Sequence, residues 1–175
     1  PYNKGGSFKK WYGNLDYVLG YDKSYNEYMD SLGGHRHDNQ SYYFRKAITW
    51  SLTNSSYFGA RMRPCGSIFD VNGMSLFVYD DRQYFYLLGL MCSKISSEFM
   101  RINNPTLASQ VGDVSRIPVS FESQYVEDVN IYVEQSIRIT KLDWDSFETS
   151  WDFQRHPLVT PAIDQHYMLL SDCWR

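Results

Sequence analysis

The sequence has few of the features that stabilise very small domains or anchor a chain in a membrane. Its three cysteines, Cys65, Cys92 and Cys173, form no Cys-x-x-Cys pair, so neither a disulfide framework nor a zinc site is predicted. No apolar run approaches the roughly 20 residues that cross a bilayer. The first residues lack both an initiating Met and the apolar stretch of a signal peptide. We therefore expect a piece of a longer, cytoplasmic polypeptide that does not contact a membrane.

Motifs that carry catalysis are also missing. No glycine-rich turn follows a predicted strand, where a methyl donor could be held, and no serine lies in a Gly-x-Ser-x-Gly context. The run 103–106, Asn-Asn-Pro-Thr, is superficially similar to the Asn-Pro-Pro-Tyr motif of amino-methyltransferases, but it lacks the second proline and the aromatic. A turn is the better interpretation. His35 and His37 have no third ligand nearby, so the sequence predicts no catalytic residue and no metal site.

The composition is that of a globular chain. The 175 residues are 43% hydrophobic, 17% aromatic and only 21% charged, which is enough apolar material for a buried core and argues against disorder. One domain with an appendage is the first interpretation.

Charge is unevenly distributed along the chain. Residues 1–65 contain nine Lys and Arg but five Asp and Glu, a net charge of +4, whereas residues 66–175 have a net charge of −7. This asymmetry indicates a basic face for an anionic partner in the N-terminal segment and an acidic region that faces water or protein.

The local patterns predict an α+β fold. Strands are predicted over 42–51 and 58–63, and a hairpin over 67–79 is predicted from its Asn72-Gly73 turn. Apolar residues at spacings of three and four predict a helix over about 82–102, with Asp80 or Asp81 as its N-cap, and a second over 123–139. We expect a twisted, mainly antiparallel sheet backed by helices, followed by a helical and irregular C-terminal extension.

Cations alternate with aromatic and hydroxyl residues in the basic segment. Arg can pair with guanine, Lys can neutralise phosphate, and Ser or Thr can contact either. The alternation of Arg61, Met62 and Arg63 places both arginines on one strand face. Ordinary solvated strand residues beside core aromatics remain an alternative interpretation.

The order of several segments resembles one family. The segments are 4–14, 48–51, 66–70, 87–94, 104–113, 117–119 and 143–158, the last reading Asp-Trp-Asp-Ser-Phe-Glu-Thr-Ser-Trp-Asp-Phe-x-x-His-Pro-Leu. They are similar to the specificity region of BREX-type adenine methyltransferases. The resemblance covers nearly the whole chain in order.

The resemblance implies a target-recognition domain like those of TaqI-like methyltransferases. This domain would cover residues 1–122, with a strand-rich region over 1–79, a helix at about 82–102 and a return segment over 103–122. A helix and the start of a spacer or interface would follow over 123–175. The catalytic domain would lie upstream in the same polypeptide. The parent enzyme would use S-adenosylmethionine, whereas no cofactor is expected in this piece.

By the same resemblance, the chain would bind double-stranded DNA and position one adenine for methylation in a phage-defence system. The expected DNA-contacting residues are cations, hydroxyls and one histidine: Lys9, Lys10, Arg36, His37, Arg45, Lys46, Thr49, Ser51, Arg61 and Arg63. A module that binds other phage-defence proteins is the alternative, because the acidic, aromatic tail is typical of an interface.

Overall fold

The computed structural model describes residues 1–35, 39–53 and 57–159. The strands are β1 (Tyr2–Asn3), β2 (Ala47–Ser51), β3 (Ala60–Arg63), β4 (Ile68–Phe69) and β5 (Gly73–Leu76). The α-helices are α1 (Lys23–Leu32), α2 (Asp81–Cys92), α3 (Lys94–Asn103), α4 (Val111–Val114) and α5 (Val126–Trp144), with 3-10 turns at Gln40–Tyr42 and Ser123–Tyr125. The fold class is α+β, as the sequence predicts.

A three-stranded antiparallel sheet forms the centre, in the order β3-β2-β5. The segment around Trp11 extends this sheet beside β3: its amide donates to the carbonyl of Ala60, and its carbonyl accepts from the amide of Met62, both at 2.8 Å. The short strands β1 and β4 form a separate parallel pair.

The two faces of the sheet differ in chemistry because side chains alternate along a strand. Ile48 and Trp50 of β2 lie on the apolar face and belong to the main hydrophobic core with Tyr84 and Leu88 of α2. The opposite face carries Thr49 and other polar side chains. Helix α5 then packs along α2 and completes the core through Val133 and Ile137.

The single helix predicted over 82–102 is two helices in the structure. Ser93 has extended backbone angles (φ −73°, ψ 161°) between α2 and α3, and its hydroxyl accepts a 3.1 Å hydrogen bond from the amide of Ser96. Apolar residues continue at helical spacing across this break, so periodicity alone did not reveal it. The N-cap prediction is confirmed at Asp80, which accepts from the Arg82 amide.

The predicted hairpin over 67–79 is wrong. β4 pairs with β1 and β5 pairs with β2, while neither Asn72 nor Gly73 has a positive φ. Instead, the carboxylate of Asp70 accepts from the amides of Asn72 at 2.8 Å and Gly73 at 3.1 Å. This Asx-type turn redirects the chain, and so the two strands join different partners.

The strand predicted over 42–51 begins later than expected. Phe44 has a positive φ of 64°, which is incompatible with a regular strand, and β2 starts at Ala47. The prediction of a strand that ends before Pro64 is confirmed by β3.

Candidate nucleic-acid interface

Four of the predicted DNA-contacting residues lie inside the protein. Thr49, Ser51, Arg61 and Arg63 are only 2%, 6%, 1% and 0% exposed. The two arginines do share one face of β3, but that face is covered by the N-terminal segment around Gly5 and by the rings of Phe69 and Phe77. In this conformation the two guanidinium groups are covered and offer a duplex no contact surface, and their contact with DNA stays a prediction.

Thr49 belongs to a buried hydrogen-bond network instead. The side-chain amide of Asn3 donates to the Thr49 hydroxyl at 2.7 Å and to the carbonyl of Gly73 at 3.1 Å. The same hydroxyl donates to the carbonyl of Met74 at 2.7 Å. The network fixes the N-terminal segment across the centre of the sheet.

Arg61 and Arg63 are buried cations with no carboxylate partner in ranges 1–35, 39–53 and 57–159. Burial lowers the pKa of each guanidinium to about 10, because a low-dielectric interior disfavours the charged form. Arg63 is partly compensated: it lies 4.6 Å from the ring centre of Phe69 and donates to the carbonyl of Arg45 at 2.9 Å. Both arginines therefore act as structural residues here.

Arg45 is exposed and lies against an aromatic cluster. Its guanidinium is 5.3 Å from the ring centre of Tyr42 and 5.7 Å from that of Phe77. A hydrogen bond with Tyr79 is the main cause that raises the pKa of Tyr42, and Tyr79 is itself 87% exposed. We call Tyr42, Arg45, Phe77 and Tyr79 the Arg45 patch; it presents one oriented cation and two phenolic hydroxyls to solvent.

Lys46 adjoins this patch at the N-terminal end of α2. Its ammonium lies 3.4 Å from the carboxylate of Asp81 and 4.1 Å from the ring centre of Tyr84. Because Asp81 is almost fully exposed, this ion pair is a weak one that an anion can displace.

Lys9 and Lys10 lie elsewhere. The Lys10 ammonium donates a 2.7 Å hydrogen bond to the carbonyl of Cys92, at the C-terminal end of α2, where a cation is favoured by the helix dipole. Lys9 lies 5.8 Å from the ring centre of Trp144. A 12-residue helix is about 18 Å long, so this pair and the Arg45–Lys46 pair are at opposite ends of α2 and do not form one patch.

The remaining predicted residues, Arg36 and His37, lie outside the described residues. The prediction also missed the aromatic members of the Arg45 patch. Phe77 and Tyr79 are separated by two positions and therefore point to the same side of an extended segment. This spacing in the sequence could have identified Phe77 and Tyr79 as a pair. It does not reveal that Tyr42, 35 positions before Phe77, lies beside them.

A second surface feature is a cleft of about 530 Å³ beside the Asn104-Pro105-Thr106 turn. The Asn104 side chain accepts from the Thr106 amide at 2.9 Å and donates to the Ala108 carbonyl at 2.7 Å. Its polar groups are thus used within the turn, which confirms the turn interpretation of this motif.

Across the described ranges, no group of three or more His, Cys, Asp or Glu side chains is arranged to hold a metal ion. No helix in the same ranges has the length and apolar character to cross a bilayer.

Comparison with known proteins relates almost the entire chain to two methyltransferases. It is 36% identical over 174 residues to the adenine-specific methyltransferase PglX of Lacticaseibacillus casei (strain Zhang), an alignment that covers 95% of this chain. It is 31% identical over 175 residues to the adenine-specific methyltransferase BrxX of Escherichia coli O9:H4 (strain HS), covering 99% of this chain. No protein-family model matches the chain.

The chain spans about 14% of the length of each of these relatives. Identity above 30% over essentially all of the chain agrees with the ordered segments on which the resemblance rests. The homologues of the chain are therefore PglX and BrxX adenine-specific methyltransferases, and the matches are consistent with a fragment of a BREX-type methyltransferase.

Proposed function

We propose that this chain is the DNA target-recognition segment of a site-specific adenine methyltransferase of a phage-defence system. It binds duplex DNA and positions the target adenine for a catalytic domain elsewhere in the polypeptide. The observation that carries the proposal is the similarity of nearly the whole chain to adenine-specific methyltransferases, in a sequence that contains no methyl-donor motif of its own. S-adenosylmethionine then belongs to the catalytic domain, and the whole enzyme acts in the cytoplasm.

The Arg45 patch is the region of the surface that we assign to DNA. Arg45 is exposed, and its stacking on Tyr42 and Phe77 limits the orientations of the guanidinium plane. An arginine held in this way loses little entropy when it forms two hydrogen bonds with a phosphate or with the edge of guanine. Lys46, beside the patch, supplies a second cation for phosphate.

Lys9 and Lys10 are assigned a supporting role. They lie at the other end of α2, so a duplex that contacts both pairs has to extend over about 18 Å, or roughly five base pairs. Such a span suits phosphate contacts that set the register of the duplex. The adenine itself has to leave the base stack before a methyltransferase can reach its amine.

We propose a division of the chain at residue 122. Residues 1–122 are the recognition domain, and residues 123–175 are the start of a spacer or interface. Helix α5 of the second part packs on α2, with Gly89 close to Val133, so the two parts share one hydrophobic core.

The test uses the full-length methyltransferase with Arg45→Gln, Lys46→Gln and the double variant. We expect weaker duplex binding, and the slope of log affinity against log salt decreases by about 0.9 for each phosphate that the variant no longer neutralises. Arg138→Gln is the matched control, because it removes an exposed arginine from α5, a helix that carries none of the residues of the patch. Unchanged affinity and salt slope in the double variant would contradict the assignment of the patch.

A protein-interaction module is the second candidate. The observation in its favour is the outer face of α5, where Tyr132, Ile139 and Leu142 are 69%, 68% and 63% exposed. If Tyr132→Ser with Ile139→Ser leaves DNA binding intact but abolishes assembly with other phage-defence proteins, the second function is supported. If the variant loses DNA binding but still assembles with those proteins, DNA recognition is favoured.

A further inference from the structure

Helix α1 buries none of its residues. Tyr25, Tyr28 and Leu32 are 54%, 60% and 66% exposed, and their spacings of three, four and seven place them on one side of the helix. Met29, which is half-buried, extends the same side. We call Tyr25, Tyr28, Met29 and Leu32 the α1 stripe.

The other side of α1 is polar. Lys23 and Glu27 form an ion pair at 3.7 Å there, and Asp30 lies one turn further on. A helix with one apolar and one charged side is typical of an element that packs against a partner.

The helix is also too short to be stable by itself. It has 10 residues, whereas isolated helices below about 12–15 residues are marginal in water. The Asp22 carboxylate caps its start by accepting from the Tyr25 amide at 2.9 Å, and Gly33 with φ of 74° follows its end. Caps contribute about 1 kcal/mol, which does not replace the burial of an apolar face.

The base of α1 is held by aromatic contacts to the segment that precedes β2. The Tyr21 ring is 5.8 Å from that of Tyr43 and 5.6 Å from that of Phe44. The position at which α1 leaves the fold is therefore defined, although the helix itself projects away from the core.

We propose that the α1 stripe docks onto a region of the same polypeptide that lies outside residues 1–175. This inference rests on the proposed function, because it assumes that the chain acts within a full-length methyltransferase. The chain spans only about 14% of its relatives, so most of such a protein is available as a partner. A partner in the same chain has a high effective concentration and needs only a modest interface.

Charge argues against DNA as the occupant. Residues 16–35 contain Asp16, Asp22, Glu27 and Asp30 but a single cation, Lys23, a net charge of −3. A phosphate backbone repels such a surface. The chemistry of the stripe instead fits an apolar protein groove with a basic rim, into which the tyrosines and Leu32 insert.

Hydrogen exchange of the full-length protein without DNA tests this docking. We expect the amides of α1 to exchange on the order of 100-fold more slowly than in an unstructured peptide, because the helix opens only when it undocks. Tyr25→Ser with Tyr28→Ser should remove this protection and leave exchange in β2 unchanged. Glu27→Gln, on the polar side, is the control and should retain the protection.

Three outcomes overturn the proposal. In the first, the α1 amides exchange within a few-fold of the rate of an unstructured peptide. In the second, protection of α1 develops only as the protein concentration rises. In the third, protection develops only when duplex DNA is added. The second outcome would indicate a second copy, and the third would indicate DNA. Because the experiment contains no DNA, its failure is distinct from a failure of the Arg45 patch to bind DNA.

Discussion

The side-chain amide of Asn3 donates a 2.7 Å hydrogen bond to the hydroxyl of Thr49, a residue 46 positions further along the chain. Both side chains are almost completely buried. This contact explains why the polar face of the central strand is not a surface: the N-terminal segment lies across it and satisfies its hydroxyl.

Thr49→Val should lower the free energy of unfolding by about 1–3 kcal/mol. The substitution keeps the shape of the side chain but leaves the Asn3 amide and the Met74 carbonyl without one buried partner each. Urea unfolding measures the effect. Thr49→Ser retains the hydroxyl and is the control; equal stability of the valine and serine variants would contradict the role of the network.

Arg63→Met should leave the free energy of unfolding within about 1 kcal/mol of the wild type, whereas Arg63→Ala should lower it by about 2–4 kcal/mol. Met fills the space between Phe69 and Phe77 without the cost of a buried cation, whereas Ala leaves a cavity. Thermal and urea unfolding measure the free energy of unfolding of both variants, and the difference between them separates the effect of packing from that of charge. A Met variant as unstable as the Ala variant would show that the charge itself is required.

Tyr84 should make the protein sensitive to alkaline pH. Its hydroxyl donates to the Ala47 carbonyl at 2.8 Å, and burial raises the pKa of the phenol above its usual 10.0. The contribution of Tyr84 to the free energy of unfolding is complete below about pH 10. It is lost as pH rises through the folded-state pKa, because the phenol ionises at lower pH in the unfolded chain.

Tyr84→Phe is the comparison for that pH dependence. At pH 8 the variant should be less stable by about 1 kcal/mol, through loss of the hydrogen bond. The difference between wild type and variant should shrink as pH rises above about 10. A difference that is constant from pH 8 to pH 11 would contradict the assignment of the shift to Tyr84.

Gly89→Ala should destabilise the contact between α2 and α5. A Cβ atom at position 89 would lie 2.9 Å from one methyl carbon of Val133 and 3.2 Å from one of Val129, so either the valine side chains or the helices would have to shift. We expect a loss of about 1–3 kcal/mol, although alanine is the better helix former. In a double-mutant cycle, Val133→Ala should partly rescue Gly89→Ala; additive losses would exclude the steric explanation.

Features set by neighbouring residues were predictable from the sequence. Asp80 caps α2 because its carboxylate reaches an amide two positions away. Pro64 ends β3, and the apolar positions Val133 and Ile137 identify the buried side of α5. In each case the deciding interaction is local or is repeated along one element.

Features set by partners distant in the chain were not predictable. The Asn72-Gly73 pair favours a hairpin locally, yet β4 pairs with β1 near the N-terminus. The Arg45 patch depends on Tyr42 and Phe77, which come together only after the sheet has formed.

The sequence by itself determined the resemblance to adenine-specific methyltransferases, the α+β class, the lack of methyl-donor motifs and the number of cations in the basic segment, because these follow from residue identity and order. Only the tertiary structure decided which of those cations reach solvent. Arg61 and Arg45 have the same side chain, but the former lies under the N-terminal segment and the latter at an exposed edge. Burial is a property of the contacts of the whole chain, and no local pattern around either arginine specifies it.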